Sequence, residues 1–296
     1  MDNLRGAVLM VLAMLGFAIE DSFIKLMGDA LPVGQIIAML GAGGAAVFAV
    51  IVVAQRRPLF ERSMLAGPVL LRGAGEIIGT VFFISAIVFT PLSTASAILQ
   101  ATPLVVTLGA ALFLGETVGW RRWAAISVGF MGVLMIIRPG LEGFSPLSLF
   151  AVGGVLGLAL RDIATRKTSA SLSTMQLSFL GFLVLIPAGL ALMFVTGHEF
   201  EPLTSQLVLL MLAAITIGVF AYYGIVAAMR VGEVSFVSPF RYSRLIFAMI
   251  IGISFFGERP DAFTLIGGAI IVGSGIYTVL RERKQRRKAA AMASQA

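Results

Sequence analysis

Ten stretches of the chain, roughly 6–27, 33–54, 67–89, 93–114, 121–137, 147–165, 175–196, 205–229, 234–256 and 262–280, are long and apolar enough to cross a bilayer, which takes about 20 residues of α-helix. Inside hydrocarbon every backbone N–H and C=O must be satisfied within the protein, so only helices and closed barrels can span it. A barrel would show alternating segments of about ten residues, whereas these runs are unbroken. The expectation is an all-α integral membrane protein of ten transmembrane helices. Composition agrees: hydrophobic types make up 58% of the 296 residues and charged types 12%, about half the share in a soluble domain. The connections are short and hold the helix breakers, as in "DALPVG", "FTPLST" and "RPGLEGFSP". The N-terminal apolar run lacks a small-residue cleavage site and reads as a retained first span.

Orientation follows from Lys and Arg, which accumulate on the cytoplasmic side. With the N-terminus inside, 15 of the 22 cations fall in inner segments, 3 in outer loops (Lys25, Arg138, Arg259) and 4 within spans (Arg72, Arg161, Arg241, Arg244). Both termini are therefore expected in the cytoplasm of a cell whose inner membrane holds the protein. The net charge of +7 does not indicate nucleic acid, because the cations cluster at span ends and in the tail. The segment from Arg281 to Lys288 reads as a polybasic anchor attracted to anionic lipid.

The chain reads as two copies of one unit. "GFAIEDSFIK" at 16–25 aligns with "GLALRDIATR" at 157–166, pairing Gly16 with Gly157, Ala18 with Ala159, Asp21 with Asp162 and Lys25 with Arg166. Gln35 and Gln176 keep the same offset of 141, and "LGE" at 114–116 meets "FGE" at 256–258 at an offset of 142. Five spans per copy is an odd number, so the second copy enters the membrane inverted. Inverted repeats suit a transporter whose site lies near the midplane between them.

With its two five-span repeats, a Gly-Glu after the fourth span of each (Gly115-Glu116, Gly257-Glu258) and the proline-marked span "TPLSTASAILQATPLVVTLGAALFLGE", the sequence resembles the EamA family of the drug/metabolite transporter superfamily. The likeness covers nearly the whole chain, and the layout is similar to that of the bacterial riboflavin importers of that family. It implies one EamA-like five-helix repeat over 1–142, a second over 143–282, and a basic cytoplasmic tail over 283–296. The second repeat departs from the family's small, apolar residues with Arg-Tyr-Ser-Arg at 241–244.

Charges at bilayer depth are expensive, about 2.5–3.5 kcal/mol each on insertion scales, and they mark functional sites. Arg241 and Arg244 lie three residues apart, hence on one helix face. They are expected to line the centre with Tyr242 between them. Arg72 and Glu76, four apart, suit an internal ion pair, and Glu76 lies deep enough to reach Arg241 or Arg244 as well. Glu20 and Asp21 diverge by about 100° on the first span. Their repeat mates are Arg161 and Asp162, and the exchange of Glu20 for Arg161 suits mutual compensation. Glu76 and Asp162 are the carboxylates nearest in depth to the two arginines, both engaged by Arg72 and Arg161. That leaves the arginine pair short of negative charge. Gln100 and Tyr222-Tyr223 are softer candidates. The candidate substrate-binding set is Arg241, Arg244, Tyr242, Glu76, Gln100, Tyr223, Glu20 and Asp162. Phe82, Phe83 and Phe240 add aromatic lining suited to a planar, polar ring system.

Other landmarks read as structural. Trp120 and Trp123 suit an interface belt, Glu116 and Glu258 suit helix caps, and the small residues of "GFMGVL" and "GGAIIVGSG" suit close helix contacts, within the chain or in a homodimer. The chain has no cysteine and a single histidine, His198, in an outer loop. No metal-ligand set, phosphate-cradling loop or cofactor motif stands out, which disfavours an enzyme and an ATP-driven pump. The expected function is secondary transport of a small organic metabolite by alternating access, with a riboflavin-like vitamin as the leading substrate and the bilayer as the other partner. Export of amino acids or other metabolites is the alternative, and a channel or a membrane-embedded enzyme is the rival class.

Overall fold

The computed structural model describes residues 2–115, 119–141, 143–169, 171–232 and 234–293, without the side chains at 230, 234, 235, 282, 283 and 285–293. The described residues form twelve α-helices, with short 3-10 stretches and loops between them: α1 Asn3–Gly28, α2 Val33–Ala54, α3 Gly67–Phe89, α4 Leu92–Leu99, α5 Thr102–Phe113, α6 Trp120–Ile137, α7 Ser148–Thr165, α8 Thr174–Thr196, α9 Ser205–Val231, α10 Val234–Val237, α11 Ser243–Phe256 and α12 Ala262–Ala293. They form ten segments long and apolar enough to cross a membrane.

Two of the ten are broken. The fourth span divides into α4 and α5 at Gln100-Ala101, and the ninth divides into α10, a 3-10 stretch over Ser238–Tyr242, and α11. Proline accounts for both interruptions. Pro103 and Pro239 have no N–H to continue the i to i−4 ladder, and each stands in the first turn of the segment that follows the break.

The pairing of spans carries the inverted repeat. α1 packs along α9 while α3 packs along α7; α2 pairs with α8, and α6 with α12. Exchanging the first five spans with the last five converts the first two pairings into each other and returns the other two to themselves. Glycines set these crossings. A Cβ on Gly75 would lie 2.5 Å from the backbone N of Arg161, and one on Gly157 would strike the backbone of Gly79. Gly34 and Gly189 bring α2 and α8 together in the same way, and Gly132 and Gly267 do so for α6 and α12. The small-residue faces of the fifth and tenth spans are thus used against each other inside the chain.

Gln35 and Gln176 play matching parts at the starts of α2 and α8. Gln35 donates to the Glu201 carbonyl at 2.8 Å and accepts from the Glu201 N–H at 2.9 Å. Gln176 donates to the Pro58 carbonyl at 2.9 Å and closes a capping box with Ser173. Each glutamine, buried at the start of its helix, holds the loop that leads into the third span of the other repeat, α9 for Gln35 and α3 for Gln176. Trp120 and Trp123 stand exposed at the start of α6, as an interface belt requires.

Candidate functional site

The arginine that decides the centre is Arg244. It lies in the first turn of α11, directly after the 3-10 stretch. Its guanidinium forms a forked pair with Asp21 of α1, Nη2 to Oδ1 at 2.8 Å, Nη2 to Oδ2 at 2.6 Å and Nε to Oδ2 at 3.1 Å. Asp21 is 3% exposed. The same guanidinium lies over the rings of Phe17 at 5.2 Å and Phe83 at 5.4 Å. A planar cation is therefore fixed by one carboxylate fork and two aromatic faces, an arrangement Lys cannot reproduce. The partner differs from the sequence expectation: Arg244 is matched by Asp21, so it is not short of negative charge. The difference is one of depth. Five residues in 3-10 form advance the chain at about 2.0 Å each rather than 1.5 Å, which carries Arg244 further toward the Asp21 end of α1 than a continuous helix would.

Arg241 lies one turn before Arg244, is exposed, and makes no ion pair among the described residues. Tyr242 turns the other way. It is 5% exposed and its hydroxyl reaches the space over Gly275 of α12, without a hydrogen-bond partner. It is a wedge between spans nine and ten and does not stand beside Arg244. Its main chain nonetheless belongs to the centre, because Gln100 Nε2 donates to the Tyr242 carbonyl at 3.3 Å. Gln100 is at the break of the fourth span, and Tyr242, 142 residues later, is at the break of the ninth. The two interruptions meet, each leaving backbone groups that an unbroken helix would have consumed.

A second charged group lies between α3 and α7. Glu76 is 3.4 Å from Arg72 and 3.1 Å from Arg161, and Arg161 also pairs with Asp162 at 2.9 Å. Two cations and two anions are balanced here. Glu76 does not reach Arg241 or Arg244, because both of its oxygens are taken by Arg72 and Arg161. Arg161 does not compensate Glu20 either. The Glu20 carboxylate lies against α9 at Gly218, where an added Cβ would be 2.5 Å from its oxygen. Seven residues separate Glu76 from Phe83 on α3, two turns or about 10 Å along one face, so the two charged groups share that face.

Tyr223 lies outside this centre. It is 65% exposed and continues the outward stripe of Leu209, Leu212 and Phe220 on α9. Its neighbour Tyr222 faces inward and shares a 2.6 Å hydrogen bond with Ser178 of α8. Of the aromatic candidates, Phe83 flanks Arg244, Phe82 packs on Phe150 and over Gly153, and Phe240 packs on Phe236.

The face opposite the termini is tied by a further set of contacts. Lys25 Nζ, near the end of α1, donates to the carbonyls of Ile87 at 3.0 Å and Thr90 at 2.7 Å, at the end of α3. Glu258 follows Gly257, whose φ of 62° lets α11 end in the left-handed conformation that glycine adopts without strain. The Glu258 carboxylate then accepts from the backbone N–H groups of Leu92 and Ser93, capping α4 of the other repeat. Gly115 has the matching φ of 67°, but Glu116 lies outside the described residues. Among the described residues no group of three or more His, Asp and Glu is placed to hold a metal ion.

The sequence matches the EamA-like transporter family over residues 4–138 and again over 146–280. The chain belongs to that family. As an EamA-family member it is a multi-pass membrane transporter. Its relatives differ in what they are named for. It is 30% identical to a riboflavin transporter of Vibrio cholerae, over 96% of each chain. It is 26% identical to an S-adenosylmethionine uptake transporter of Rickettsia prowazekii, over 72% of each. It is 29% identical to a pseudopaline exporter of Pseudomonas aeruginosa, over 92% of this chain and 95% of that one. A solved crystal structure shares the fold with a TM-score of 0.63 at 20% identity, covering 94% of this chain and 98% of the other.

Two features of this EamA protein were missed in the sequence. Phe17 flanks Arg244 from α1, and its signal is its place one turn before Asp21. Lys25 was read as an outer-loop cation, whereas it lies in the last turn of α1 with its Nζ on the carbonyls of Ile87 and Thr90, and nothing local in the sequence signals a contact across more than 60 residues.

Proposed function

We propose that the protein is a secondary transporter of the inner membrane, with both termini cytoplasmic, that moves a small planar, hydrogen-bonding metabolite by alternating access, riboflavin being the leading substrate. The observation that carries this reading is the Arg244 guanidinium between Phe17 and Phe83, held by Asp21 where the broken spans of the two repeats meet. Planar aromatic and cationic faces suit a ring system that stacks and accepts hydrogen bonds. The riboflavin transporter aligned over nearly the full length supports that substrate. In proteoliposomes, labelled riboflavin should enter faster when unlabelled riboflavin is loaded inside. Uptake without such trans-stimulation would indicate a channel, and no uptake of riboflavin would remove it as substrate. A second reading, uptake of a cationic solute such as S-adenosylmethionine, is favoured by the uncompensated Glu20 carboxylate. Competition by unlabelled S-adenosylmethionine separates the two.

Alternating access requires one face to be shut while the other is open. The contacts of Lys25 and Glu258 join the ends of α1, α3, α4 and α11 and suit a closed gate on the face opposite the termini. Each hydrogen bond from a charged donor contributes about 1.5–3 kcal/mol, so removing two should raise gate opening by tenfold or more. The cysteine-free chain allows a clean measurement. Ser93, buried at the start of α4, is replaced by Cys as a reporter. Lys25→Met should speed its labelling by an impermeant thiol reagent at least tenfold, and an unchanged rate would remove Lys25 from the gate.

A further inference from the structure

We propose that Glu20 is a proton-binding site, protonated in the conformation described here, through which solute movement is coupled to protons. The inference rests on the transport reading above and deepens it.

Glu20 lies in the outer half of the first span, half-buried, and makes no hydrogen bond or ion pair among the described residues. Its carboxylate occupies space that exists only because residue 218, at the middle of α9, has no side chain. The repeat explains the oddity of this position. An offset of 141 carries Glu20 onto Arg161, and an offset of 142 carries Glu76 onto Gly218. The contact between positions 20 and 218 is thus the inverted counterpart of the contact between positions 161 and 76. In one half it is an ion pair of 3.1 Å. In the other half a carboxylate faces a glycine. The carboxyl group is present and position 218 supplies no counterion to it.

The surroundings do not supply another cation. On its own helix Glu20 adjoins Asp21, whose two oxygens hold Arg244, and Lys25, further along, is engaged with the carbonyls of Ile87 and Thr90. Across from it α9 presents Gly218, and Tyr222 one turn on is bonded to Ser178. On α3, Arg72 and Glu76 are engaged with each other and with Arg161. The 3-10 stretch and α11 bring Arg241, which is exposed, Tyr242, which faces α12, and Arg244, which is taken by Asp21. Helices α2, α4 and α10 carry no ionisable residue. An ionised carboxylate without a partner at this depth is strongly disfavoured, and such a group takes up a proton instead.

Coupling follows from the neighbour. Glu20 and Asp21 share the field of Arg244. When a solute oxygen draws Arg244 away from Asp21, two adjacent carboxylates face one diverted cation, and proton binding at Glu20 is strengthened. The proton comes from water on one face and leaves to water on the other as Glu20 returns to the carboxylate. Solute and proton thereby favour the same occupied state, which is co-transport.

Infrared spectroscopy of the purified protein in lipid tests the site without any substrate. A carboxylic acid C=O band present at neutral pH and absent in Glu20→Gln is the expected result. Lack of the band in the wild-type protein, or its persistence in Glu20→Gln, overturns the proposal, and an ionised Glu20 becomes a counter-charge for a cationic solute. Lack of the band in the wild-type protein overturns the proposal even if the variant does not fold. Transport then tests the coupling. With labelled riboflavin, Glu20→Gln should keep exchange across the membrane and lose accumulation driven by a pH gradient. Accumulation equal to wild type overturns the coupling. Absence of riboflavin transport in the wild-type protein overturns only the substrate, since the infrared result stands apart from it.

Discussion

Glu76→Gln is expected to lower the stability of the protein by about 3–5 kcal/mol, the usual cost of removing one partner from a buried ion pair. Glu76 receives Arg72 on one side and Arg161 on the other. With the charge gone, two guanidinium groups share Asp162 alone, and the Arg72 Nε is already without a hydrogen-bond partner. The group is also the joint of the α3–α7 crossing, where Gly75 and Gly79 admit no displacement of Arg161 and Leu158. A fall in the midpoint of thermal aggregation, followed by fluorescence-detected size exclusion, measures the loss. The pair Arg72→Met with Glu76→Gln removes the stranded cation along with the carboxylate, and it should recover a large part of what the single change loses. An unchanged midpoint in Glu76→Gln would mean that water already screens the group.

Much of the architecture was legible because membrane spans declare themselves by length and apolarity alone. The repeat was legible for a different reason: polar residues are so costly at depth that the few present act as landmarks. Gln35 and Gln176 show this well. Read only as an offset, they prove to be equivalent clasps on the loops before α9 and α3. The pairing of charges was less legible. Counting residues gives depth only along a regular helix, and the 3-10 stretch at 238–242 breaks the count where it mattered for Arg244. Arg72 and Glu76 were readable because a one-turn spacing needs no knowledge of neighbouring helices.

Azimuth was partly available and incompletely used. Leu209, Leu212, Thr216, Phe220 and Tyr223 recur at three- and four-residue intervals, a stripe that points outward and takes Tyr223 with it. Tyr222, one position earlier and rotated by about 100°, is the inward tyrosine. Tyr242 followed the same logic in reverse. Flanked by two arginines it looks like part of a polar site, yet Gly275 opens a slot for its ring on α12. No pattern in the ninth span alone reveals a glycine on the tenth.

The Asp21–Arg244 pair carries the sharpest expectation for function. Asp21→Asn leaves a guanidinium with two aromatic faces and without its carboxylate fork at a buried position, and transport should be lost together with about 3–5 kcal/mol of stability. That result alone would not distinguish a binding arginine from a structural one. Arg244→Lys does, because it keeps the charge and gives up the planar fork and the stacking on Phe17 and Phe83. A single ammonium still satisfies Asp21, so the fold should survive. A solute that depends on the guanidinium plane loses one or two charge-assisted hydrogen bonds of about 1.5–3 kcal/mol each. Affinity for riboflavin, measured by calorimetry on the purified protein, should then fall at least tenfold. Arg241→Lys serves as the comparison. Arg241 is exposed and has no ion pair among the described residues, so a cation of either shape answers its environment and affinity should stay within twofold of wild type, an energy difference of about 0.4 kcal/mol. Equal weakening by both variants would restore a site built on two arginines. Full affinity in Arg244→Lys, with stability lost in Asp21→Asn, would make the pair a structural clasp between α1 and α11 and move the substrate elsewhere along the face that Glu76 and Phe83 share.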